Sequence, residues 1–162
     1  MQRDAQTPTN ELTLVLASEK EKQQLMSQWE RSEGITPLPQ TESELLQVGH
    51  DVFLIQERSS NAPKGYAVVV DYPEVSRAKE IILRPHEPFA SMDSFRSIVA
   101  QLIGILSENR SIDRIMLKID DESSDQAQVL ESLGFMKEAL VMNNFNPSGV
   151  FAFFTIYQYK LS

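Results

Sequence analysis

Residues 84–96 bring together the groups in this chain that are best suited to chemistry. The segment runs directly into a predicted amphipathic helix. The first amides of a helix have no partner within it and lie at the positive end of its dipole, so they bind anions readily. Positively charged and small side chains at a helix start are the residue types that an anion site uses. The residues that would serve this site are either positively charged or small, and they are Arg84, His86, Arg96, Ala90, Ser91 and Ser94.

The same segment has a simpler interpretation, which is an ordinary helix cap surrounded by solvated charges. Pro85 and Pro88 each lack a backbone N–H, and a predicted N-cap at Asp93 would put a carboxylate where an anion would bind. A charge-assisted contact to phosphate contributes roughly 1.5–3 kcal/mol, so two such contacts could offset a poorer set of amides. Both interpretations stay open. Histidine changes charge near neutral pH, which makes His86 a candidate proton relay, although a single loop histidine is more often only solvated.

A second group of chemically active side chains is the acidic run over residues 120–125, which contains four carboxylates. A metal site is one interpretation, but the run lacks the glycine turn and terminal glutamate of a calcium loop. Acidic residues are favoured at a helix N-terminus by the helix dipole. We therefore expect a solvated entry to the next helix and no metal.

Composition limits the function classes further. The chain has 162 residues, with 15 basic and 23 acidic side chains and a net charge of −8. Nucleic-acid binding needs a clustered basic surface and is disfavoured. No apolar run is long enough for a membrane span, and the polar residues 1–10 lack a signal core. The absence of cysteine excludes disulfides, thiolate metal sites and a cysteine nucleophile. We expect a cytoplasmic protein in which a mobile tail, residues 1–10, precedes a single domain, residues 11–162.

Hydrophobic periodicity predicts an alternation of strands and helices along the chain. Two capping boxes, Ser18-x-x-Glu21 and Thr41-x-x-Glu44, predict the starts of the first two helices. Apolar residues at helical spacing predict a third helix from Ser94 to about Asn109. The predicted order is β-α-α-β-β-β-α-β-α-β-β. The predicted strands lie at 12–17, 51–58, 65–71, 77–84, 114–119, 137–145 and 150–161.

The last predicted helix, residues 126–133, is stopped by Gly134 and followed by Phe135. Glycine accepts the left-handed backbone of a helix C-cap, and the next apolar residue packs back on the last turn. The Leu-Gly-Phe order after a strand and a helix resembles a signature of the GNAT superfamily of N-acetyltransferases, and the element order resembles that superfamily along essentially the whole chain. The resemblance implies an α/β domain with a mixed central sheet of about seven strands flanked by about four helices.

The resemblance also implies acetyl-CoA or another acyl-CoA as cofactor and a small-molecule or protein amine as acceptor. The pantetheine would lie between the strands at 77–84 and 114–119, and the pyrophosphate would lie at the helix start that follows the first of them. Compared with the usual Arg-x-x-Gly-x-Gly/Ala loop, the loop here is longer and has no glycine. The cofactor-binding residues that the resemblance implies are Ile82, Leu83, Arg84, Ala90, Ser91, Met92, Ser94 and Arg96.

For the chemical step, the resemblance makes Glu80 the best-placed general base and His86 a possible relay. A strand carboxylate in an acidic domain is more often only a surface residue. The tyrosine that commonly serves as general acid is replaced by Val129 or Leu130. Loss of a general acid costs about 10²–10⁴-fold in rate, which slows turnover without excluding it. The predicted function is N-acyl transfer. The alternatives are a catalytically inactive GNAT-like binding or regulatory module and a structural subunit that uses its long terminal hairpin for pairing in an oligomer. A homodimer is a further expectation.

Overall fold

A computed structural model of the protein describes residues 11–32, 50–72, 75–86, 89, 91–120, 124–143 and 152–161. This part of the chain contains seven strands and three helices. The strands are β1 (Leu12–Leu16), β2 (Asp51–Glu57), β3 (Pro63–Asp71), β4 (Ala78–Pro85), β5 (Arg114–Asp120), β6 (Met136–Asn143) and β7 (Ala152–Lys160). The helices are α1 (Glu19–Ser32), α2 (Met92–Ser107) and α3 (Ser124–Leu133).

The strands form one mixed sheet in the order β1-β2-β3-β4-β5-β7-β6. Strands β4 and β5 are parallel, and α2 connects them. The pairs β1–β2, β2–β3, β5–β7 and β6–β7 are antiparallel. The predicted α/β class and seven strands are confirmed. The helix predicted from Thr41 lies outside the described residues, and no helix within them is long and apolar enough to cross a membrane.

The described residues divide into two compact units. Unit 1 comprises the described residues within 1–70 and 83–87. Its strand β3 is buried over five successive residues, from Gly65 to Val69. Val52, Ile55 and Val68 are fully buried. The predicted capping box of α1 is present, because the Ser18 amide donates to Glu21 Oε1 at 2.9 Å and the Glu21 amide donates to Ser18 Oγ at 3.2 Å.

Unit 2 comprises the described residues within 71–82 and 88–162. Helix α2 buries one stripe of apolar side chains, as its spacing predicts. It begins at Met92, two residues before the predicted start. Many of the buried side chains of this unit come from α2, β5 and α3, and these include Phe95, Ile98, Val99, Leu102, Ile115, Leu117, Val129 and Leu130.

The end of α3 shows the predicted glycine stop. Gly134 has a φ of +108°. Its amide donates to the Glu131 carbonyl at 3.1 Å, and the Phe135 amide donates to the Leu130 carbonyl at 2.9 Å. These two bonds form a Schellman motif, which satisfies carbonyls that the helix end leaves without partners. Phe135 then returns to the core, where its ring lies 5.2 Å from that of Tyr159.

Candidate active site

The pairing between β4 and β5 ends before either strand does. The register runs from Ala78 opposite Arg114 to Ile81 opposite Leu117. Ile82 and Lys118, both in unit 2, follow this last pair. Strand β5 stays paired with β7 as far as Asp120. Within the described residues, β5 therefore pairs with β7 along its whole length, whereas its pairing with β4 stops after Leu117.

The N-terminus of α2 is capped by Ser91, and the prediction of Asp93 as the N-cap is wrong. Ser91 has an extended backbone, and its Oγ accepts a hydrogen bond from the Ser94 amide at 3.2 Å. Asp93 instead lies in the first turn, where the helix dipole stabilises its carboxylate. Both serine and aspartate are good N-caps, and the earlier start brings Ser94 into the buried stripe.

An aromatic contact fixes the way in which the chain enters α2. The rings of Phe89 and Phe95 meet edge to face, with their centroids 5.6 Å apart. Phe95 is buried in the core of unit 2, so Phe89 is held just ahead of the cap. The contact resembles a hydrophobic staple, in which an apolar residue before the N-cap packs on one in the first turns.

Arg96 takes part in a bond between α2 and α3. Its Nη1 donates to Ser132 Oγ at 2.7 Å. The Ser132 hydroxyl in turn donates to the Val129 carbonyl at 2.7 Å. A guanidinium has five N–H donors, so this bond uses one of them and fixes the direction of the side chain. The structure gives Arg96 a role between helices that the sequence did not predict.

Three of the predicted site residues, Leu83, Arg84 and His86, belong to unit 1. Arg84 is partly buried, and its Nη1 donates to the Leu83 carbonyl at 3.2 Å. The His86 side chain is exposed, while its amide donates to the Lys64 carbonyl at 2.9 Å. The end of β4 also runs against Gly65, where an added Cβ would lie 2.5 Å from the Arg84 carbonyl oxygen. A glycine is therefore required where β3 passes the end of β4.

Glu80 lies in unit 2 on a strand face that also carries Lys118. Its Oε2 is 3.5 Å from Lys118 Nζ, and only 14% of its side chain is exposed. The Lys118 ammonium also lies 5.7 Å from the centre of the Tyr72 ring. Sequence reasoning missed Lys118 and Tyr72. The one available signal was the charge that interrupts the apolar run Ile-Met-Leu-Lys-Ile in β5.

The predicted site residues are therefore divided between the units. Those in unit 2 are Glu80, Ile82, Ser91, Met92, Ser94 and Arg96, and those in unit 1 are Leu83, Arg84 and His86. Ala90 lies outside the described residues. Much of the acidic run at 120–125 also lies outside them, and no group of three potential metal ligands comes together among the residues that are described.

Comparison with known proteins identifies the fold. No family model and no curated protein matches the sequence. Solved structures do match. The spermidine/spermine N-acetyltransferase SpeG from Vibrio cholerae aligns over 96% of both chains with a TM-score of 0.71 and 11% identity. A candidate phosphinothricin N-acetyltransferase aligns over 93% of this chain and 99% of its own, with a TM-score of 0.69 and 15% identity.

A third structure, yncA from Salmonella typhimurium with its cofactor acetyl-CoA, aligns over 94% of this chain and 95% of its own, with a TM-score of 0.64 and 17% identity. The chain has the GNAT N-acetyltransferase fold. The GNAT arrangement that the element order predicts is thereby confirmed.

The GNAT resemblance implies a tyrosine general acid at position 129 or 130. The residues there are Val129 and Leu130, and both are buried in the core. Tyr159 packs on Phe135. Tyr157 is also buried, and desolvation, followed by the nearby Glu131 charge, raises the pKa of its phenol above the usual value. On β7, Tyr157 is opposite Leu117 in the register, so it lies on the sheet face opposite Glu80.

Proposed function

We propose that this protein is an acyl-CoA-dependent N-acyltransferase that transfers an acetyl group to an amine. The observation that carries the proposal is the end of the β4–β5 pairing at Ile81 and Leu117. In GNAT enzymes the pantetheine chain lies where these two strands part. The names of two structural neighbours agree with this chemistry, since SpeG is a spermidine/spermine N-acetyltransferase and yncA was solved with acetyl-CoA.

For the cofactor, the backbone of Ile82 and Leu83 would pair with the pantetheine amides beyond the last β4–β5 pair. The first amides of α2, from Met92 to Ser94, would receive the pyrophosphate, since such amides have no partner inside the helix. Positive charge would come from Arg84 and Arg96. The small side chains Ala90 and Ser91 would let phosphate oxygens come close to the backbone.

The residues present fit a diphosphate only in part. The Ser94 amide already donates to Ser91 Oγ, and Asp93 adds a negative charge in the first turn. The two arginines therefore have to supply more of the binding energy than they would beside a glycine-rich loop. Each charge-assisted contact contributes roughly 1.5–3 kcal/mol. Bound acyl-CoA would supply the thioester whose carbonyl carbon the acceptor amine attacks.

The chain's own contribution to chemistry would be proton transfer. Glu80 would accept a proton from the acceptor's ammonium, because only the neutral amine is nucleophilic. His86 would relay protons to solvent. The neutral amine nitrogen would then bond to the thioester carbonyl carbon as the C–S bond breaks, and the sulfur would leave as a thiol with a proton from that nitrogen. A thiol with a pKa near 8.5 leaves adequately without a general acid, which agrees with Val129 and Leu130 standing where a tyrosine is usual.

A second candidate function is a catalytically inactive GNAT-like module that binds a ligand or a protein. It is favoured by the bond between Arg96 and Ser132, which gives this arginine a structural role. It is also favoured by the missing glycines and tyrosine. Such a module would bind acetyl-CoA without turnover or would not bind it at all.

The two functions are separated by measuring thiol release from acetyl-CoA in the presence of a panel of primary amines. The transferase predicts release that depends on one class of amine and falls by about 10²–10⁴-fold in Glu80→Gln. The matched control is Glu138→Gln, which removes an exposed carboxylate from β6 and should leave the rate unchanged. Absence of thiol release with every amine, in a protein that remains folded, would favour the inactive module.

A further inference from the structure

One face of the sheet in unit 2 combines an apolar patch with two opposite charges. Glu80 is opposite Met116 in the β4–β5 register, and Lys118 follows two residues later on the same face. Buried Ala78, Met116 and Ile156 form the patch. Tyr72 packs against it. A carboxylate, an ammonium and an aromatic ring thus lie on the same face as a buried apolar cluster.

The Lys118 ammonium lies close to both of the other groups. Its Nζ is 3.5 Å from Glu80 Oε2 and 5.7 Å from the centre of the Tyr72 ring. A carboxylate and an aromatic face are the two protein groups that attract an alkylammonium most directly, one by charge and the other by its quadrupole. Glu80 and Tyr72 are therefore the types of group that a receptor for an ammonium would use, and Lys118 contacts both.

We propose that Glu80 and Tyr72 form the acceptor-amine subsite and that Lys118 is an internal occupant, which a primary alkylamine displaces. This inference rests on the proposed transferase function for the fate of the bound amine. The Lys118 side chain is itself a primary alkylammonium on a four-carbon stem, so it shows the chemical class of ligand that the receptor accepts. The acceptor class is a primary amine on an unbranched alkyl chain.

Displacement of Lys118 requires that its ion pair be weak. The Lys118 side chain is 38% exposed, and partly exposed pairs contribute little because water and salt screen them. Lys118 is also the first residue of β5 beyond the last pair with β4. A soluble amine can therefore compete for Glu80 while the Lys118 ammonium turns to solvent.

A neighbouring lysine does not compete for the same receptor. Lys79 precedes Glu80 on β4, so its side chain projects from the opposite face of the strand. Its Nζ is bonded to Asp71 Oδ1. Lys79 thus carries the same charge on the same strand but is held by a different carboxylate, which makes it a matched control.

In the transfer step, the acceptor's ammonium takes the place of the Lys118 ammonium beside Glu80. The acceptor's ammonium gives one proton to the Glu80 carboxylate, and its nitrogen then bonds to the thioester carbonyl carbon. The C–S bond breaks, and the nitrogen's second proton leaves with the thiol. Glu80 then gives its proton to solvent. The product amide carries no charge and is not attracted to Glu80 and Tyr72, so Lys118 can return.

The test measures binding of n-butylammonium by NMR at constant ionic strength without any cofactor, in wild type and in Lys118→Met. If Lys118 fills the receptor about nine-tenths of the time, its removal strengthens apparent affinity on the order of tenfold. Adding Glu80→Gln to Lys118→Met should abolish the gain, and Lys79→Met should bind as wild type does. Equal affinity in wild type and Lys118→Met, or a gain that survives Glu80→Gln, would overturn the subsite.

A second variant, Lys118→Gln, also removes the charge and should show the same gain in n-butylammonium affinity. It controls for a local effect of the methionine side chain. Thermal unfolding of each variant confirms that it is folded, as expected for a substitution at a partly exposed position. Because the probe needs no acetyl-CoA, failure of the subsite and failure of the transferase are distinguishable. Amine binding without cofactor binding would reject the transferase alone, whereas amine-dependent thiol release with no Lys118 effect would reject the subsite alone.

Discussion

The backbone of Gly65 passes so close to Arg84 that a Cβ on Gly65 would lie 2.5 Å from the Arg84 carbonyl oxygen. It would also lie 2.6 Å from Pro85 Cα. Both contacts are with backbone, which cannot turn aside as a flexible side chain can. The end of β4 is proposed to form part of the cofactor site. It can lie this close to β3 only because residue 65 has no side chain.

Gly65→Ala should lower the free energy of unfolding by about 2 kcal/mol or more, because the clash adds to the strain of a φ of +139°. Gly104→Ala is the matched control. Its added Cβ meets nothing within 4 Å on an exposed position of α2, and it should raise stability by roughly 0.5–1 kcal/mol. Urea denaturation measures both. Equal effects of the two substitutions would show that the approach at Gly65 is not tight.

The charge at the start of α2 should control cofactor affinity independently of stability. Ser91→Asn and Ser91→Asp both retain an N-cap acceptor for the Ser94 amide, so both should unfold close to wild type. Only Ser91→Asp adds a negative charge where the diphosphate is proposed to lie, and it should weaken acetyl-CoA binding about tenfold or more. Calorimetric titration measures the affinities. If the two variants bind equally, the diphosphate does not lie at this helix start.

The two arginines should differ in what they contribute. Arg84→Gln should weaken acetyl-CoA binding on the order of tenfold, the equivalent of one charge-assisted contact. Arg96→Gln should weaken binding less and should also lower stability by about 1 kcal/mol, because the guanidinium bonds Ser132. Ser132→Ala should reproduce the stability loss without the loss of affinity. A larger affinity loss from Arg96→Gln than from Arg84→Gln would reverse the proposed assignment.

Tyr157 should make stability fall at alkaline pH. Burial, and then the Glu131 charge, raise the pKa of its phenol in the folded state. As pH rises past about 10, the unfolded chain loses its phenolic proton first and is thereby favoured. Tyr157→Phe should remove this part of the pH dependence while leaving the dependence near neutrality unchanged. Denaturation at a series of pH values measures it, and an unaltered alkaline slope in Tyr157→Phe would contradict the assignment.

Local signals in the sequence predicted local structure well. The capping box of Ser18 and Glu21 and the stop at Gly134 each depend on a few neighbouring residues, so they could be read directly. The N-cap of α2 is predicted at Asp93 but lies at Ser91. Both residue types can cap a helix, and the apolar spacing fits either start.

The candidate site was harder to predict because it depends on register. The contact between Glu80 and Lys118 joins residues of two strands that a helix separates in sequence. A shift of one residue between β4 and β5 would turn Lys118 to the opposite face relative to Glu80. The point at which the β4–β5 pairing stops has no signature in either strand, since both continue with residues that suit a strand.

Whether this protein binds acyl-CoA is decided by titrating acetyl-CoA into the wild-type protein. We expect saturable binding of one cofactor per chain, together with a rise in Tm that grows with cofactor concentration, because a ligand of the native state stabilises it. At about 1 mM acetyl-CoA even a binding free energy of about −4 kcal/mol would be detected. Absence of both heat and Tm shift at that concentration would show that the protein is not an acetyl-CoA-dependent enzyme.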